Sequence, residues 1–424
     1  MDTVVQTGVQ TERSYSAEEA YSLPLTQLDP ADAKLFQTNT MWSCFERLRA
    51  EAPVHYTAES IFGSYWSVTK YKDILAVEAN HEVFSSDWSL GGITVRDQRK
   101  DFPLPMFIAM DPPKHDQQRA VVSPMFTPAN MAAMEASIRS RAAEVLDRLP
   151  IGETFDWVDR VSIELTTQML AILFDFPWED RRKLTRWSDI ATVHPDLDTF
   201  GTEAERQGEL MECLGYFTRL WNERVNAAPK ADLVSMLAHA DTTRQMDPRE
   251  FLGNLILLIV GGNDTTRNSI TGGLVALNEN PDQYAKLRAN PSLVASMVPE
   301  IIRWQTPLAH MRRTATRDTM LGGQQIRAGD RVIMWYVSGN RDETAIPDAN
   351  RFIIDRDKPK KHLSFGFGIH RCVGERLAEM QLRVVWEEIL ARFPAIEVIG
   401  EPRRVYSSFV KGYETLPVRI AGRV

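Results

Sequence analysis

The chain has 424 residues, with 49 basic and 57 acidic side chains that give a net charge of −8 at pH 7. Hydrophobic residues make up 43% and charged residues 25%, a composition that excludes collagen-like, low-complexity and wholly disordered proteins. The acidic excess argues against nucleic-acid binding. Its three cysteines, Cys44, Cys213 and Cys372, are too few and too widely spaced for a disulfide framework, so we expect a cytoplasmic protein.

Residues 1–25 are polar and irregular, and we expect them to be a flexible leader to one large domain over residues 26–424. The N-terminus lacks a basic stretch followed by an apolar run, so the sequence predicts no secretory signal. No window approaches the ~20 apolar residues that a membrane-spanning helix needs. We therefore expect no membrane span.

The first regular elements are predicted to be two strands, and helices are predicted after them. Residues 54–56 and 65–69, separated by Gly63, are typical of a β-hairpin. Apolar residues at helical spacing then predict a series of helices. These cover residues 134–149, 162–174, 210–225 and 251–278, and another begins at Asn280-Pro281.

The pattern changes after Pro307. Glycine-containing turns around residues 321–323 and 328–330 indicate strand pairs. A last helix is predicted from about Gly374 to Phe393, followed by two short strands within residues 405–420. The predicted fold class is mainly α with small β-sheets, in a single large domain.

The most informative segment is the ten-residue loop from Phe365 to Gly374, which contains three glycines and leads into the last helix. Glycines in this arrangement indicate a tight turn whose backbone approaches a ligand. Cys372 would lie near the helix N-terminus, where backbone N–H groups and Arg371 favour a thiolate. A thiolate held in this way is a metal ligand or a nucleophile.

Three other interpretations of Cys372 remain open from the residues alone. A lone cysteine is most often a buried structural residue. His370 and Cys372 could begin a zinc site, although no second pair of ligands occurs at metal spacing. A catalytic cysteine with a distant histidine is the third alternative.

The loop pattern F-G-x-G-x-H-x-C-x-G resembles the haem-binding loop of the cytochrome P450 superfamily, the haem-thiolate monooxygenases. This resemblance implies the cytochrome P450 fold and a haem b (iron protoporphyrin IX) whose fifth iron ligand is Cys372. It also implies that Phe365, Gly366, His370 and Gly374 contact the haem. The other motifs of the family follow in the family's order between residues 111 and 374.

Glu300 and Arg303 are three residues apart, which by itself describes an ordinary surface ion pair. In the resembled family this pair is buried and is completed by an arginine about fifty residues later. The resemblance assigns that third position to Arg351, in a structural ion network. Pro299, directly before Glu300, is expected to perturb the helix.

The long helix contains Gly261, Gly262, Asp264 and Thr265. Each glycine weakens a helix by ~1 kcal/mol, and a flat ligand against the backbone would explain them. The Thr265 hydroxyl can bond back to a carbonyl one turn earlier, and Asp264 can pass protons. A kinked core helix is the alternative. The resemblance implies that Thr265 is the oxygen-activating threonine, Asp264 its acidic catalytic partner and Gly262 a haem contact.

His115 and Arg119 lie four residues apart after a Pro-Pro pair, and alone they would describe a solvated basic face. The resemblance implies that both bind the haem propionates, together with Arg313 and His370. Arg312 competes with Arg313 for this role. The spacing to Asp318 favours Arg313.

The resemblance places the substrate cavity beside the long helix, although core residues would look the same. Because the candidate residues supply no charge, we expect an aliphatic or terpenoid substrate. The candidates are Leu257, Val260, Gly261, Leu308, Ala309, Met311 and Phe409, with Met106, Phe107 and Ile108 in addition.

Four segments resemble the soluble bacterial alkane-hydroxylating branch more closely: residues 255–268, 308–313, 332–336 and 363–383. That branch converts the terminal methyl of medium-chain alkanes to a primary alcohol. The alternatives are a hydroxylase of a terpenoid or fatty acid on the same fold, and a haem-based sensor or binding protein.

The sequence shows no flavin or nicotinamide domain and no cysteine cluster for iron and sulfur, so electrons must come from outside. The resemblance implies dioxygen as co-substrate and an acidic ferredoxin with its NAD(P)H-dependent reductase as partner. Residues 351–383 hold eight basic and four acidic side chains, a local charge of +4. The expected docking cations are Lys358, Lys360, Lys361, Arg371, Arg376 and Arg383.

Overall fold

A computed structural model describes residues 16–192 and 201–424, and these contain fifteen α-helices and four small sheets. The helices are α1 Ala17–Ser22, α2 Ala33–Gln37, α3 Met41–Glu51, α4 Tyr71–Glu78, α5 Lys114–Val122, α6 Pro128–Asp147, α7 Glu164–Phe174, α8 Arg182–Thr192, α9 Glu203–Val225, α10 Leu233–His239, α11 Pro248–Glu279, α12 Pro281–Ala289, α13 Val294–Gln305, α14 Tyr336–Gly339 and α15 Glu375–Arg392. The strands are β1 Val54–Thr57, β2 Tyr65–Val68, β3 Phe84–Ser85, β4 Thr154–Asp156, β5 Met311–Ala315, β6 Thr319–Leu321, β7 Gln324–Ile326, β8 Arg331–Met334, β9 Glu397–Val398, β10 Arg403–Arg404, β11 Tyr413–Thr415 and β12 Pro417–Arg419. The predicted fold class, mainly α with small sheets, is confirmed.

The largest sheet has the strand order β1-β2-β8-β5-β3. Its first two strands form the predicted antiparallel hairpin, in which Val54 pairs with Val68. Strand β8 lies parallel to β2 and antiparallel to β5, with Arg313 opposite Val332. Because side chains alternate along a strand, neighbouring residues of β5 face opposite sides of the sheet. This alternation separates Arg312 from Arg313.

Helix α11 runs through the centre of the fold and is buried along most of its length. It begins where the Asp247 carboxylate accepts a hydrogen bond from the N–H of Arg249 (2.8 Å), with Pro248 at the first helical position. The helix packs against α7, α8, α13 and α15. It passes through Gly261 and Gly262 as one continuous helix.

Several predicted boundaries move because of capping interactions. Helix α9 begins at Glu203, well before the predicted residue 210, because Thr202 and Glu205 form a capping box.

Helix α8 was not predicted from the sequence, yet its Leu184, Trp187 and Ile190 are buried at helical spacing. Its position matters because α8 packs against α11 beside the candidate site.

The predicted leader is partly corrected. Residues 1–15 lie outside the described residues, but residues 17–22 form α1. Ser16 and Glu19 form a capping box at the start of α1, and the Arg47 guanidinium on α3 donates to the Ala20 carbonyl (2.8 Å). None of the helices in the described part of the chain is both long and apolar enough to cross a membrane.

Candidate active site

The loop from Phe365 to Gly374 folds into the predicted tight turn ahead of α15. The N–H of Cys372 donates to the Phe365 carbonyl (2.8 Å), which closes the loop. Gly366 and Gly368 have φ of +68° and +69°, a region that side chains with a Cβ rarely adopt. A Cβ on Gly368 would also lie 2.6 Å from the Glu78 carbonyl oxygen. These two positions therefore require glycine.

Cys372 lines an internal cavity of ≈ 310 Å³, so its sulfur is exposed to the cavity although it lies deep in the protein. Burial raises the pKa of the Cys372 thiol to about 11, while the Gly374 N–H, Arg119 and Arg371 act to lower it. The groups predicted to favour a thiolate therefore act in the expected direction but are outweighed by burial. A metal cation bound to the sulfur would favour the thiolate.

The other interpretations of Cys372 receive no support from its surroundings. Cys44 and Cys213 are buried in the core, whereas Cys372 faces the cavity. The Nε2 atom of His370 lies 3.0 Å from the Ser86 hydroxyl. Within residues 16–192 and 201–424, no group of three or more His, Cys, Asp or Glu side chains could hold a metal ion.

Arg313, and not Arg312, reaches the cavity. Arg313 lines it and donates to the Glu78 carboxylate (Nη2 to Oε2, 2.7 Å). Arg312 is turned to the other side of β5, where it donates to Asp97 (Nη1 to Oδ1, 2.6 Å). Arg119 also lines the cavity and donates to the Arg371 carbonyl. Arg119 and Arg313 are thus the arginines available at the cavity.

His115 and His370 pack against each other, with ring centroids 4.3 Å apart. The Nδ1 atom of His115 lies 2.7 Å from the Asp116 carboxylate. The Nε2 atom of His115 and the Nδ1 atom of His370 are buried and have no hydrogen-bond partner among the described residues. Burial lowers the pKa of both imidazoles.

His370 lines the Cys372 cavity, whereas His115 contacts His370 but is not itself a lining residue. Their unpartnered nitrogens suit the two carboxylates of a haem. With the Ser86 hydroxyl donating to Nε2 of His370, its Nδ1–H is free to donate to a carboxylate. A carboxylate beside His115 would favour the imidazolium, in which both ring nitrogens donate. Arg119, Arg313 and the thiol of Cys372 line the same cavity. The set of donors therefore suits a haem with a thiolate ligand.

Thr265 and the two glycines lie where α11 borders the cavity. The Thr265 hydroxyl donates to the Gly261 carbonyl one turn earlier (2.7 Å), as predicted. A Cβ on Gly261 would meet nothing within 4 Å, so this residue faces open space. A Cβ on Gly262 would lie 2.8 Å from Leu170 Cδ2, so Gly262 also allows α7 to pack closely.

Asp264 is fully buried, and its carboxylate is turned towards α8. It accepts hydrogen bonds from Arg267 (2.8 Å), Asn263 (3.0 Å) and the Thr192 hydroxyl (3.3 Å). Arg267 also donates to Asp189, whose pKa burial raises although Arg267 opposes the shift. Because Thr192 lines the cavity, its hydroxyl connects Asp264 to that space.

The ion network around Glu300 differs from the predicted one. Glu300 and Arg303 are fully buried and joined by two hydrogen bonds of 2.7 and 2.8 Å. Pro299 lies within α13 and does not disturb the pair. Arg351 was expected to be the third member, but its side chain is exposed and contributes only its carbonyl oxygen. The third member is Arg356, which donates to the Glu300 carboxylate at 3.1 and 3.3 Å.

Most of the predicted substrate residues line the cavity. Those that line it are Met106, Phe107, Ile108, Leu257, Val260, Gly261, Leu308, Met311 and Phe409. Ala309 is the exception, because it is fully buried in a separate apolar cluster with Phe36, Phe45 and Trp335. Ala309 belongs to the core and not to the cavity wall.

The predicted docking cations are largely exposed, but three of the six are already paired. Lys360 contacts Glu379 (2.7 Å), Arg371 contacts Glu375 (2.6 Å), and Arg383 contacts Glu135 (2.8 Å). Lys358, Lys361 and Arg376 form no ion pair with any described residue. The positive potential of this face is therefore weaker than the count of cations suggests.

Sequence reasoning missed Glu78, Thr192, Arg267 and Arg356. Arg267 had a detectable signal, since it lies three residues after Asp264 on the same helix. Arg356 lies 56 residues after Glu300, also close to the expected spacing. Glu78 and Thr192 carried no signal, because tertiary packing alone brings them to the cavity.

Comparison with known proteins identifies relatives over nearly the whole chain. The family model described as "Cytochrome P450" matches residues 53–404. A linalool 8-monooxygenase of Pseudomonas putida is 38% identical, covering 92% of this chain and 98% of that protein. A methyl-branched lipid omega-hydroxylase of Mycobacterium tuberculosis is 33% identical, covering 88% and 90%. The solved structure of CYP153D17 from Sphingomonas sp. PAMC 26605 is 53% identical, with a TM-score of 0.86, covering 92% and 98%.

Proposed function

Because the chain belongs to the cytochrome P450 family and is a haem-thiolate monooxygenase, we propose that it hydroxylates the terminal methyl of medium-chain alkanes or related aliphatic chains to a primary alcohol. The apolar wall of the Cys372 cavity carries this proposal. Its charged lining residues are Glu78, Arg119 and Arg313; Glu78 pairs with Arg313, and the two arginines are assigned to the haem carboxylates. The rest of the wall has no charge to pair with a polar substrate.

The relatives support an aliphatic substrate in two ways. One relative, 33% identical, is a methyl-branched lipid omega-hydroxylase, and "omega" denotes the end of the lipid chain. The linalool 8-monooxygenase, 38% identical, favours a terpenoid as the second candidate substrate. Both candidates need an elongated apolar cavity, and a binding series with alkanes and linalool distinguishes them.

Haem, when bound, supplies an iron that activates dioxygen, so that one oxygen atom enters a C–H bond and the other leaves as water. Cys372 would hold the iron through Sγ. Arg119, Arg313, His115 and His370 would hold the two carboxylates. The reaction also consumes two electrons and two protons, which the surroundings of the cavity must deliver.

Thr265 and Asp264 are the groups that supply these protons. Thr265 lines the cavity, and its hydroxyl donates a hydrogen bond to the Gly261 carbonyl (2.7 Å). The Asp264 carboxylate accepts a hydrogen bond from Arg267 (2.8 Å) and reaches the cavity through the Thr192 hydroxyl (3.3 Å). Thr192 therefore relays protons between the buried carboxylate and the cavity.

Attack at a terminal methyl is difficult because a primary C–H bond is stronger than the neighbouring secondary bonds. Selectivity for the chain end must therefore come from the cavity wall. Leu257 and Val260 on α11 and Met311 on β5 supply bulky apolar side chains at that wall. These side chains let the terminal methyl reach the reacting position and keep the neighbouring CH₂ groups away from it.

Leu257→Ala tests this regiochemistry. We expect the variant to convert octane to more 2-octanol relative to 1-octanol, because the lost side chain widens the cavity. Ile259→Val is the matched control, because Ile259 is a fully buried neighbour that belongs to the core. An unchanged product ratio in Leu257→Ala would refute the role of the wall.

The chemistry itself is tested by the reduced carbon-monoxide difference spectrum. The intact protein should give the Soret band of a thiolate-ligated haem, and Cys372→Ser should lose it while still binding haem. A normal spectrum in Cys372→Ser would contradict the assignment of the iron ligand.

The electrons come from an acidic ferredoxin and its NAD(P)H-dependent reductase, in the cytoplasm. Lys358, Lys361 and Arg376 are the unpaired cations that support docking beside Cys372. The rate of electron transfer should fall as salt is raised, because screening weakens attraction between exposed charges. A rate that does not change with salt would contradict electrostatic docking.

A further inference from the structure

A second cavity, of ≈ 400 Å³, lies between α3, α11, α13 and the C-terminal strands. It shares no lining residue with the Cys372 cavity. We refer to it as the Arg341 cavity. Its charged lining residues are Glu46, Arg49, Glu279, Arg341, Arg404 and Lys411.

Arg341 is the most unusual of these residues. Only 6% of its surface is exposed, and its guanidinium carbon lies 3.4 Å from the ring centroid of Trp304 and 4.4 Å from that of Trp42. Its side chain forms no hydrogen bond or ion pair with any described residue. A guanidinium carries five N–H donors, and those of Arg341 are open to the cavity, since none of its nitrogens is among the fully buried atoms without a hydrogen-bond partner. Arg303, equally buried, has Glu300 as its partner.

The other three cations of this cavity form no ion pair with any described residue. The Lys411 ammonium donates to the Gln305 carbonyl (2.9 Å), and Arg49 donates to the Ser338 hydroxyl (2.9 Å). Arg404 lies over the ring of Tyr413, with the guanidinium carbon 5.7 Å from the centroid. Glu46 attracts Arg49 and Glu279 attracts Lys411, but neither carboxylate lies within ion-pair distance of these cations.

The carboxylates do not balance the cations. Glu46 and Glu279 are both exposed, whereas Arg341 is buried among the aromatic rings. When all six side chains are charged, four cations and two carboxylates give the lining a net charge of +2. Burial, followed by the repulsion of Arg341 and Arg404, lowers the pKa of Lys411 to about 7. Burial and the charges of Arg303 and Arg49 lower the pKa of Arg341 as well.

We propose that the Arg341 cavity binds a small dianion of the phosphate type through Arg341, Arg404 and Lys411. The two charges of such an anion match the net charge of the lining. Its tetrahedral oxygens accept hydrogen bonds from several directions, which suits cations on different elements of the fold. The shared chemistry is a phosphate group, either free or as the ester of a small molecule.

Inorganic phosphate is the first probe, titrated into the haem-loaded protein at constant ionic strength in a buffer without multivalent anions. Calorimetry and thermal unfolding should show saturable binding that raises the unfolding temperature. Arg404→Gln and Lys411→Met should each weaken binding about 10-fold or more, the value of one charged hydrogen bond. The carbon-monoxide spectrum should stay unchanged, because the two cavities are separate.

Arg403→Gln is the matched control, because Arg403 neighbours Arg404 but is exposed, pairs with Glu414 and does not line the cavity. This variant should bind phosphate as the wild type does. Tighter binding of glycerol 3-phosphate than of inorganic phosphate would assign the cavity to an ester, and the reverse to the free ion. The proposal would be overturned if acetate or chloride bound as tightly as phosphate, or if phosphate binding did not saturate. It would also be overturned if Arg403→Gln weakened phosphate binding as much as Arg404→Gln does.

Discussion

Replacing Arg356 with alanine should destabilise the protein far more than replacing Arg351. The Arg356 side chain is 8% exposed and donates twice to the Glu300 carboxylate, and also to the Asp348 and Arg351 carbonyls. The Arg351 side chain is 71% exposed and lies 3.8 Å from Asp348. Arg356 therefore stabilises the fold through buried hydrogen bonds, whereas the Arg351 side chain has only an exposed contact.

The magnitude follows from what each substitution leaves behind. In Arg356→Ala, Glu300 keeps Arg303 as a partner but loses two charged hydrogen bonds, so we expect a cost of about 3 kcal/mol. In Arg351→Ala only an exposed ion pair is lost, which is worth at most about 0.5 kcal/mol. For a chain of this size the first change should lower the unfolding temperature by roughly 3 °C.

Thermal unfolding of the haem-loaded variants, at one scan rate because large proteins unfold irreversibly, measures this difference. Arg356→Lys serves as an intermediate, since it keeps the charge but loses the planar fork of donors. If Arg351→Ala destabilised the protein as much as Arg356→Ala, the assignment of the third network member would be wrong.

Three further predictions concern buried groups. His310 is fully buried, and burial lowers its pKa to about 4. Its contribution to the free energy of unfolding should be fully present above pH 6.5 and fall by about 3 kcal/mol towards pH 4. Denaturant unfolding of His310→Gln should lack this dependence on pH. Gly368→Ala should lower the unfolding temperature more than Gly323→Ala. Both glycines have positive φ, but only a Cβ at position 368 would clash with a backbone oxygen. Equal effects of the two substitutions would contradict the steric argument. Glu78→Gln should cost about 3 kcal/mol in the same assay because it removes the buried carboxylate that accepts from both Arg313 and Tyr336, and an unchanged unfolding temperature would refute this.

The local chemistry of the candidate site was predictable from the sequence, because it depends on residues close together in the chain. The glycine spacing before Cys372 predicted the tight loop, and the structure places Gly366 and Gly368 at the positive φ that such a turn requires. The hydrogen bond from Thr265 to the Gly261 carbonyl is also local, since both residues lie within one helical turn. The apolar periodicity of α11 predicted its place in the core.

Contacts between distant segments were decided only by the tertiary structure. Arg351 and Arg356 both fit the expected spacing from Glu300, and only the path of the chain after α14 shows which one reaches the carboxylate. Ala309 could not be separated from true cavity residues, because apolar side chains look alike in a sequence whether they face a cavity or a core.

The sequence by itself determined the family pattern, the thiol at Cys372 and the helical class of the fold. The structure decided that Asp264 is turned towards Arg267 and α8, and that Arg341 is buried beside Trp42 and Trp304 without an anionic partner. The physical reason is that hydrogen bonding and periodicity along one segment are encoded locally. The direction of a buried charge depends on which residues from distant segments the fold places around it.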